Sequence, residues 1–177
     1  MTILDATCSV GRKWPKYADI RIDIDIAAKP DVVMDCRHTT FPNDSFSEIY
    51  CDPPHLVRRN PQLIHRQGDA LGKRYSRFSA WKDRNEWYGF LDGINVEFAR
   101  ILVPGGLLQF KVPEGGKNSS LVSFRDLNRL TNFEIIADDR RESHGFFANW
   151  HRSLGHAISY IHFITLRLRT EDGEDSV

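Results

Sequence analysis

Four short apolar-rich runs in the first 52 residues each arrive at an aspartate: "TILD" at Asp5, "IRIDID" at Asp23 and Asp25, "DVVMD" at Asp35 and "FSEIYCD" at Asp52. Short runs of this kind, bounded by turn residues, read as strands. The second alternates strictly over 17–26, with Ile20, Ile22, Ile24 and Ile26 on one face. "DVVMDC" (31–36) and "FSEIYC" (46–51) read as the third and fourth strands, joined by a loop too short for a crossover helix.

A helical period follows over 86–102, where Trp87, Phe90, Leu91, Ile94, Phe98 and Ile101 recur at helical spacing. "VPGG" (103–106) stops it. "LLQFKV" (107–112) reads as a fifth strand and "SSLVSFRDLNRLTN" (119–132) as a second helix with a serine cap. A strand over 133–138 and a closing strand over 157–169 complete the pattern. Strands alternating with helices predict an α/β fold: one Rossmann-like domain over 1–169, a mostly parallel sheet with a closing antiparallel strand, and pared-down helices. The helices are pared down because only "RKWPKY" stands between Gly11 and the second strand. The acidic end, 170–177, reads as a disordered tail.

Zero formal net charge means that any nucleic-acid contact must come from local clustering. No apolar run approaches the length of a membrane span, and the N-terminus reads as no signal peptide. Cys8, Cys36 and Cys51 lack CxxC spacing and sit at the ends of apolar runs, which predicts buried thiols and a cytoplasmic location.

In open parallel sheets, ligands bind beyond the carboxyl ends of the strands. An aspartate at a strand exit is ordinarily a turn former, and an Asp-Pro pair alone marks a turn. Four acids on consecutive strand ends are harder to explain by capping. On these residues, and on "CDPPH" (51–55) above all, the chain resembles the class I S-adenosylmethionine-dependent methyltransferases. Within them it looks like the amino-methyltransferases of nucleobase exocyclic amines, marked by (D/N/S)PP(Y/F/W/H), small phage-type and bacterial members being closest. A "VPGG-LLQFK"-like strand (103–111) extends the resemblance from Ile3 to about Lys111. Ser9 departs from it, standing where the family's D-x-x-x-G-x-G motif has its first glycine.

The resemblance implies S-adenosylmethionine as cofactor. Asp5 and the backbone of Thr7, Cys8, Ser9 and Gly11 would hold its methionine end. Asp23, with Asp25 as the second choice, would accept from the ribose hydroxyls. Asp35, followed by Cys36, would accept from the adenine amine. Asp52 and the Pro53 carbonyl would accept both hydrogens of the target amine, with Pro54 adding rigidity and His55 stacking on or bonding to the base. Adenine N6 in DNA comes first; cytosine N4, RNA or a non-catalytic subunit are the alternatives.

Residues 56–84 form a long basic loop with interleaved aromatics, a composition suited to a nucleic-acid backbone and an unstacked base. Arg58, Arg59, Lys73, Arg74, Tyr75 and Trp81 are its candidate substrate contacts; a solvated loop with its aromatics on the sheet is the plainer reading. No separate recognition domain fits in the chain, so sequence discrimination is expected to be short or supplied by a homodimer. His144, His151 and His156 show no metal-ligand spacing, and no metal is expected.

Overall fold

The computed structural model describes residues 1–8, 14–57, 80–114, 121–142 and 160–170. Its main element is a seven-stranded sheet. The strands are β1 (Ile3–Asp5), β2 (Ile20–Asp23), β3 (Val32–Val33), β4 (Phe46–Cys51), β7 (Leu102–Pro113), β8 (Phe133–Glu142) and β9 (Tyr160–Leu168). A separate parallel pair is formed by β5 (Leu56–Val57) and β6 (Ala80–Trp81). Among the described residues there is one α-helix, α1 (Arg84–Ile101).

The strand order is β3-β2-β1-β4-β7-β9-β8. The chain runs outward from β1 to β2 and β3, then returns to β4 on the other side of β1. The topological switch point, where ligands of such sheets collect, therefore lies between β1 and β4. All pairings from β3 to β7 are parallel, and β9 is antiparallel to both β7 and β8. This is the Rossmann-like methyltransferase fold that the sequence predicts.

Helix α1 forms because its apolar stripe buries Trp87, Phe90, Leu91, Ile94, Phe98 and Ile101 against the sheet. Asp83 caps it, accepting from the Glu86 N–H at 2.9 Å. Strand alternation supplies the matching surface: Ile49 and Cys51 of β4 and Leu108, Phe110 and Val112 of β7 are all buried. Tyr50, Gln109 and Lys111 consequently leave the sheet on the opposite face. There Gln109 links Glu48 to Thr165, and Trp14 packs edge-on to Tyr50 and Phe163.

Several sequence expectations change. The second strand stops at Asp23, because Asp25 turns its carboxylate onto the Ala27 N–H and caps a 3-10 turn, Ile26–Ala28. Ile24 and Ile26 are thus 44% and 77% exposed instead of continuing the apolar face. The third strand shrinks to the exposed pair Val32–Val33 at the sheet edge. "VPGG" does end the helix, but it also lies within β7 as a bulge: pairing jumps from Phe46↔Leu102 to Glu48↔Leu107, and Gly105 takes the turn at φ +72°. The second helix is a 3-10 helix, Phe124–Arg129, in a capping box of Ser123 and Asp126. Residues 119–120, part of that expectation, and the 171–177 end of the acidic tail lie outside the described residues.

Candidate active site

An aspartate one or two residues before a free backbone N–H tends to bond to it. Asp5 accepts from the Thr7 N–H at 3.3 Å, Asp23 from Asp25 at 2.8 Å and Asp35 from Arg37 at 2.9 Å. These carboxylates are thus partly engaged as turn formers. Asp52 cannot follow the pattern. Its next two residues are Pro53 and Pro54, and neither has an N–H. Its carboxylate is left to side chains: Lys111 Nζ donates to Oδ2 at 2.6 Å, and His55 Nε2 lies 3.2 Å from Oδ1.

The turn itself is held from three sides. The Asp52 N–H donates to the Thr7 hydroxyl at 2.6 Å, tying the end of β4 to the end of β1. The Trp81 indole N–H donates to the Pro54 carbonyl at 2.7 Å, while its ring packs against Trp87 and Phe90 of α1. The His55 carbonyl accepts from the Val122 N–H at 3.0 Å.

Charge divides the site. Burial pushes the Asp5 carboxyl up to about 6, with the Thr7 bond and Arg21 opposing it and Asp52 and Asp23 adding to it. Burial and the neighbouring Asp25 also raise Asp23. Burial acts upward on Asp52 too, but His55 and Lys111 outweigh it and hold it below the usual carboxylate range. Burial likewise acts upward on Asp35, and Arg37 overcomes it with bonds of 3.0 Å and 2.6 Å. Arg37 reaches this position across Gly93 of α1, where a Cβ would come within 3.2 Å of the arginine chain.

The structure brings Asp5, Thr7, Cys8, Asp23, Asp52, Pro53, Pro54 and His55 to one end of the sheet, with Asp35 and Cys36 in the turn after β3. Cys8, Cys36 and Cys51 are buried and no disulfide joins them, and burial raises the Cys36 and Cys51 thiols. Trp81 sits against the Asp52 turn and the core. Ser9, Gly11, Arg58, Arg59, Lys73, Arg74, Tyr75, His144, His151 and His156 lie outside the described residues. Sequence reasoning passed over Lys111, the closest partner of Asp52, and Arg37, the partner of Asp35.

Among the described residues no His, Cys, Asp and Glu side chains cluster as metal ligands, and no helix is long and apolar enough to cross a membrane. No protein-family model and no curated protein matches the chain. Solved structures do. The N-methyltransferase NodS from Bradyrhizobium japonicum WM9, in complex with S-adenosyl-L-homocysteine, is similar at 12% identity and TM-score 0.57, over 95% of this chain and 78% of that one. TrmN from Thermus thermophilus is similar at 17% identity and TM-score 0.51, over 96% of this chain and 44% of that one. The [4+2]-cyclase SpnF is similar at 14% identity and TM-score 0.57, over 95% and 74%. The chain shares the Rossmann-like methyltransferase fold of these structures. At these identities the likeness defines the fold, and chemistry has to be argued from the site.

Proposed function

We propose that this protein is an S-adenosylmethionine-dependent methyltransferase acting on an exocyclic amine of a nucleobase, adenine N6 in DNA ahead of cytosine N4 or RNA. One observation carries the reading: Asp52, alone among these strand-end acids, is denied backbone donors by Pro53 and Pro54 and so presents its carboxylate at the switch point.

The residues present suit the cofactor. Asp52 and Asp23 both add to the cost of ionising the buried Asp5 at this sheet end, a cost that a ligand carrying an ammonium and a sulfonium relieves. Asp5 and Thr7 would hold the methionine end, Asp23 the ribose and Asp35 the adenine, with Cys8, Cys36 and the 9–11 backbone beside them. Asp25 is the weaker ribose candidate because its carboxylate caps the 3-10 turn. When bound, the cofactor supplies an electrophilic methyl group.

The amine lone pair of a nucleobase is delocalised into the ring. Asp52 and the Pro53 carbonyl accept the two amine hydrogens, which favours a pyramidal nitrogen with a localised lone pair. Both acceptors are fixed before substrate arrives, by the proline rings, Thr7 and Trp81, so little reorganisation is needed. As the nitrogen gains its methyl it becomes strongly acidic, and Asp52 takes the proton it sheds. His55, in contact with Asp52, stands beside the base. The basic stretch carrying Arg58, Arg59, Lys73, Arg74 and Tyr75 follows directly and would contact the nucleic-acid backbone. A homodimer would enlarge that surface.

Methyl transfer from isotopically labelled S-adenosylmethionine to unmethylated DNA tests this. Label in N6-methyladenine, lost in Asp52→Ala, is the expected result. Transfer that survives Asp52→Ala removes the assigned mechanism, and absence of cofactor binding by calorimetry removes the reading.

A further inference from the structure

We propose that Lys111 is the positioning residue of the amine site: its ammonium fixes the plane of the Asp52 carboxylate and keeps it an acceptor. The inference rests on the reading of Asp52 as the amine acceptor. Leu108, Phe110 and Val112 alternate into the core, so Lys111 leaves β7 on the face shared with Asp52. The parallel register Cys51↔Phe110 then sets the next residues, Asp52 and Lys111, side by side. The contact is built into the sheet and needs no loop to bring it about.

Lys111 acts on one oxygen and His55 on the other. Each carboxylate oxygen has two lone pairs, so each keeps one for an incoming amine hydrogen. Among the described residues, the charged groups facing Asp52 are Asp5 from β1, Lys111 from β7 and His55 from its own turn. Asp5 repels, and the imidazole is a counter-charge only when protonated. Among the described residues Lys111 is the standing opposite charge. Without it, burial and Asp5 both favour protonated Asp52, which has lost acceptor capacity and become a donor.

The chemistry distinguishes this chain from a site built on asparagine. An asparagine at position 52 would accept an amine hydrogen without a counter-ion, but here it would leave the Lys111 ammonium stranded. Removing both charges together should therefore be less damaging than the two single losses predict.

The test compares wild type, Lys111→Met, Lys111→Gln, Lys111→Arg, Asp52→Asn and the Asp52→Asn/Lys111→Met double variant. Labelled-methyl transfer to DNA is followed between about pH 5.5 and pH 8.5, and the Asp52 carboxyl carbon is titrated by NMR without substrate. In Lys111→Met and Lys111→Gln the carboxyl titration should move upward. Below its new midpoint kcat should fall about tenfold per pH unit, with the KM for cofactor little changed. Lys111→Arg should restore the wild-type profile, and the double variant should exceed the product of the single effects. An unchanged carboxyl titration, with only a lower melting temperature, would make Lys111 a strut between β4 and β7 and overturn the proposal. If wild type transfers no methyl to DNA, the nucleobase reading fails. The substrate-free titration then still decides Lys111 on its own, through the glutamine variant should the methionine one not fold.

Discussion

Asp5 and Asp52 end neighbouring strands, β1 and β4, within reach of each other's field, and burial acts on both in the same direction. They nonetheless move apart. Asp5 has a backbone N–H and a distant arginine for company and rises to about 6. Asp52 has a lysine and a histidine in contact and falls below the usual carboxylate range. Burial alone therefore does not decide what a strand-end acid can do; the neighbouring side chains do. Asp5 is a carboxylate waiting for a cation. Asp52 already has one and is free to serve as an acceptor at any pH near neutral.

The largest expected effect breaks the Asp52 side of that contrast. Asp52→Ala removes an acceptor fixed in advance of the reaction, a loss that elsewhere costs about 10²–10³ in rate. Methyl transfer should fall by at least about 10² while calorimetry still detects cofactor. Comparable losses of both would place Asp52 in cofactor binding and merge the two acids into one role.

Asp5→Asn works on the other side. Asp5 is 2% exposed, and its carboxyl is raised from 3.8 to about 6. A raised carboxyl pKa means that ionising it destabilises the fold. That penalty is full above about pH 6 and absent below about pH 4, where both states are protonated. Removing it should stabilise the protein by about 2–3 kcal/mol in urea at pH 8 and by almost nothing at pH 4. Cofactor affinity should drop in the same variant. In wild type, affinity should weaken as the pH falls through about 6, where Asp5 loses the charge that holds the ammonium. Stability gained without affinity lost would make Asp5 a structural acid.

Thr7→Val cuts the link between the two strand ends. The Asp52 N–H loses its 2.6 Å acceptor, and an unsatisfied buried donor costs about 1–3 kcal/mol. Hydrogen exchange should accelerate at the Asp52 amide and leave the Ala6 amide, bonded to the Tyr50 carbonyl at 2.8 Å, unaffected. Acceleration at both would mean that β1 and β4 separate as a unit.

The sheet was legible in the sequence because period-two alternation and acid-terminated runs are local signals. What was not legible depended on contacts between distant segments. Asp25 reads as the last acid of an alternating strand, but its preference for capping the Ala27 N–H ends that strand early. Residues 119–132 carry a helical period, yet the Ser123–Asp126 box starts a shorter, tighter helix four residues later than Ser119. Lys111 reads in "LLQFKV" only as a strand residue, because its partner is 59 residues away and is fixed by the β4–β7 register. The two prolines carried more information than a turn signal. They remove the donors that satisfy Asp5, Asp23 and Asp35, and this is visible from sequence once the Asx turn is the expected fate of a strand-end acid.

Asp35 supplies the intermediate case and the smallest effect. Like Asp5 it bonds to the N–H two residues on; like Asp52 it has a cation, Arg37. Its carboxyl is lowered, so its contribution to stability is present above its unfolded value and is lost as the pH falls through the folded one. The pair is about one-third exposed, and solvent screening should hold that contribution to under about 1 kcal/mol. Arg37→Met should therefore change urea stability by only a few tenths to about 1 kcal/mol at pH 7, and by less at pH 3. Its effect on cofactor is the sharper measurement. If Asp35 accepts from the adenine amine, Arg37 competes for the same oxygens but also keeps them charged and aligned. Loss of Arg37 should then weaken S-adenosylmethionine severalfold while leaving methionine binding at the Asp5 end untouched. Equal weakening of both ligands would show that the turn after β3 shapes the whole sheet end, and that Asp35 is closer in kind to Asp5 than to Asp52.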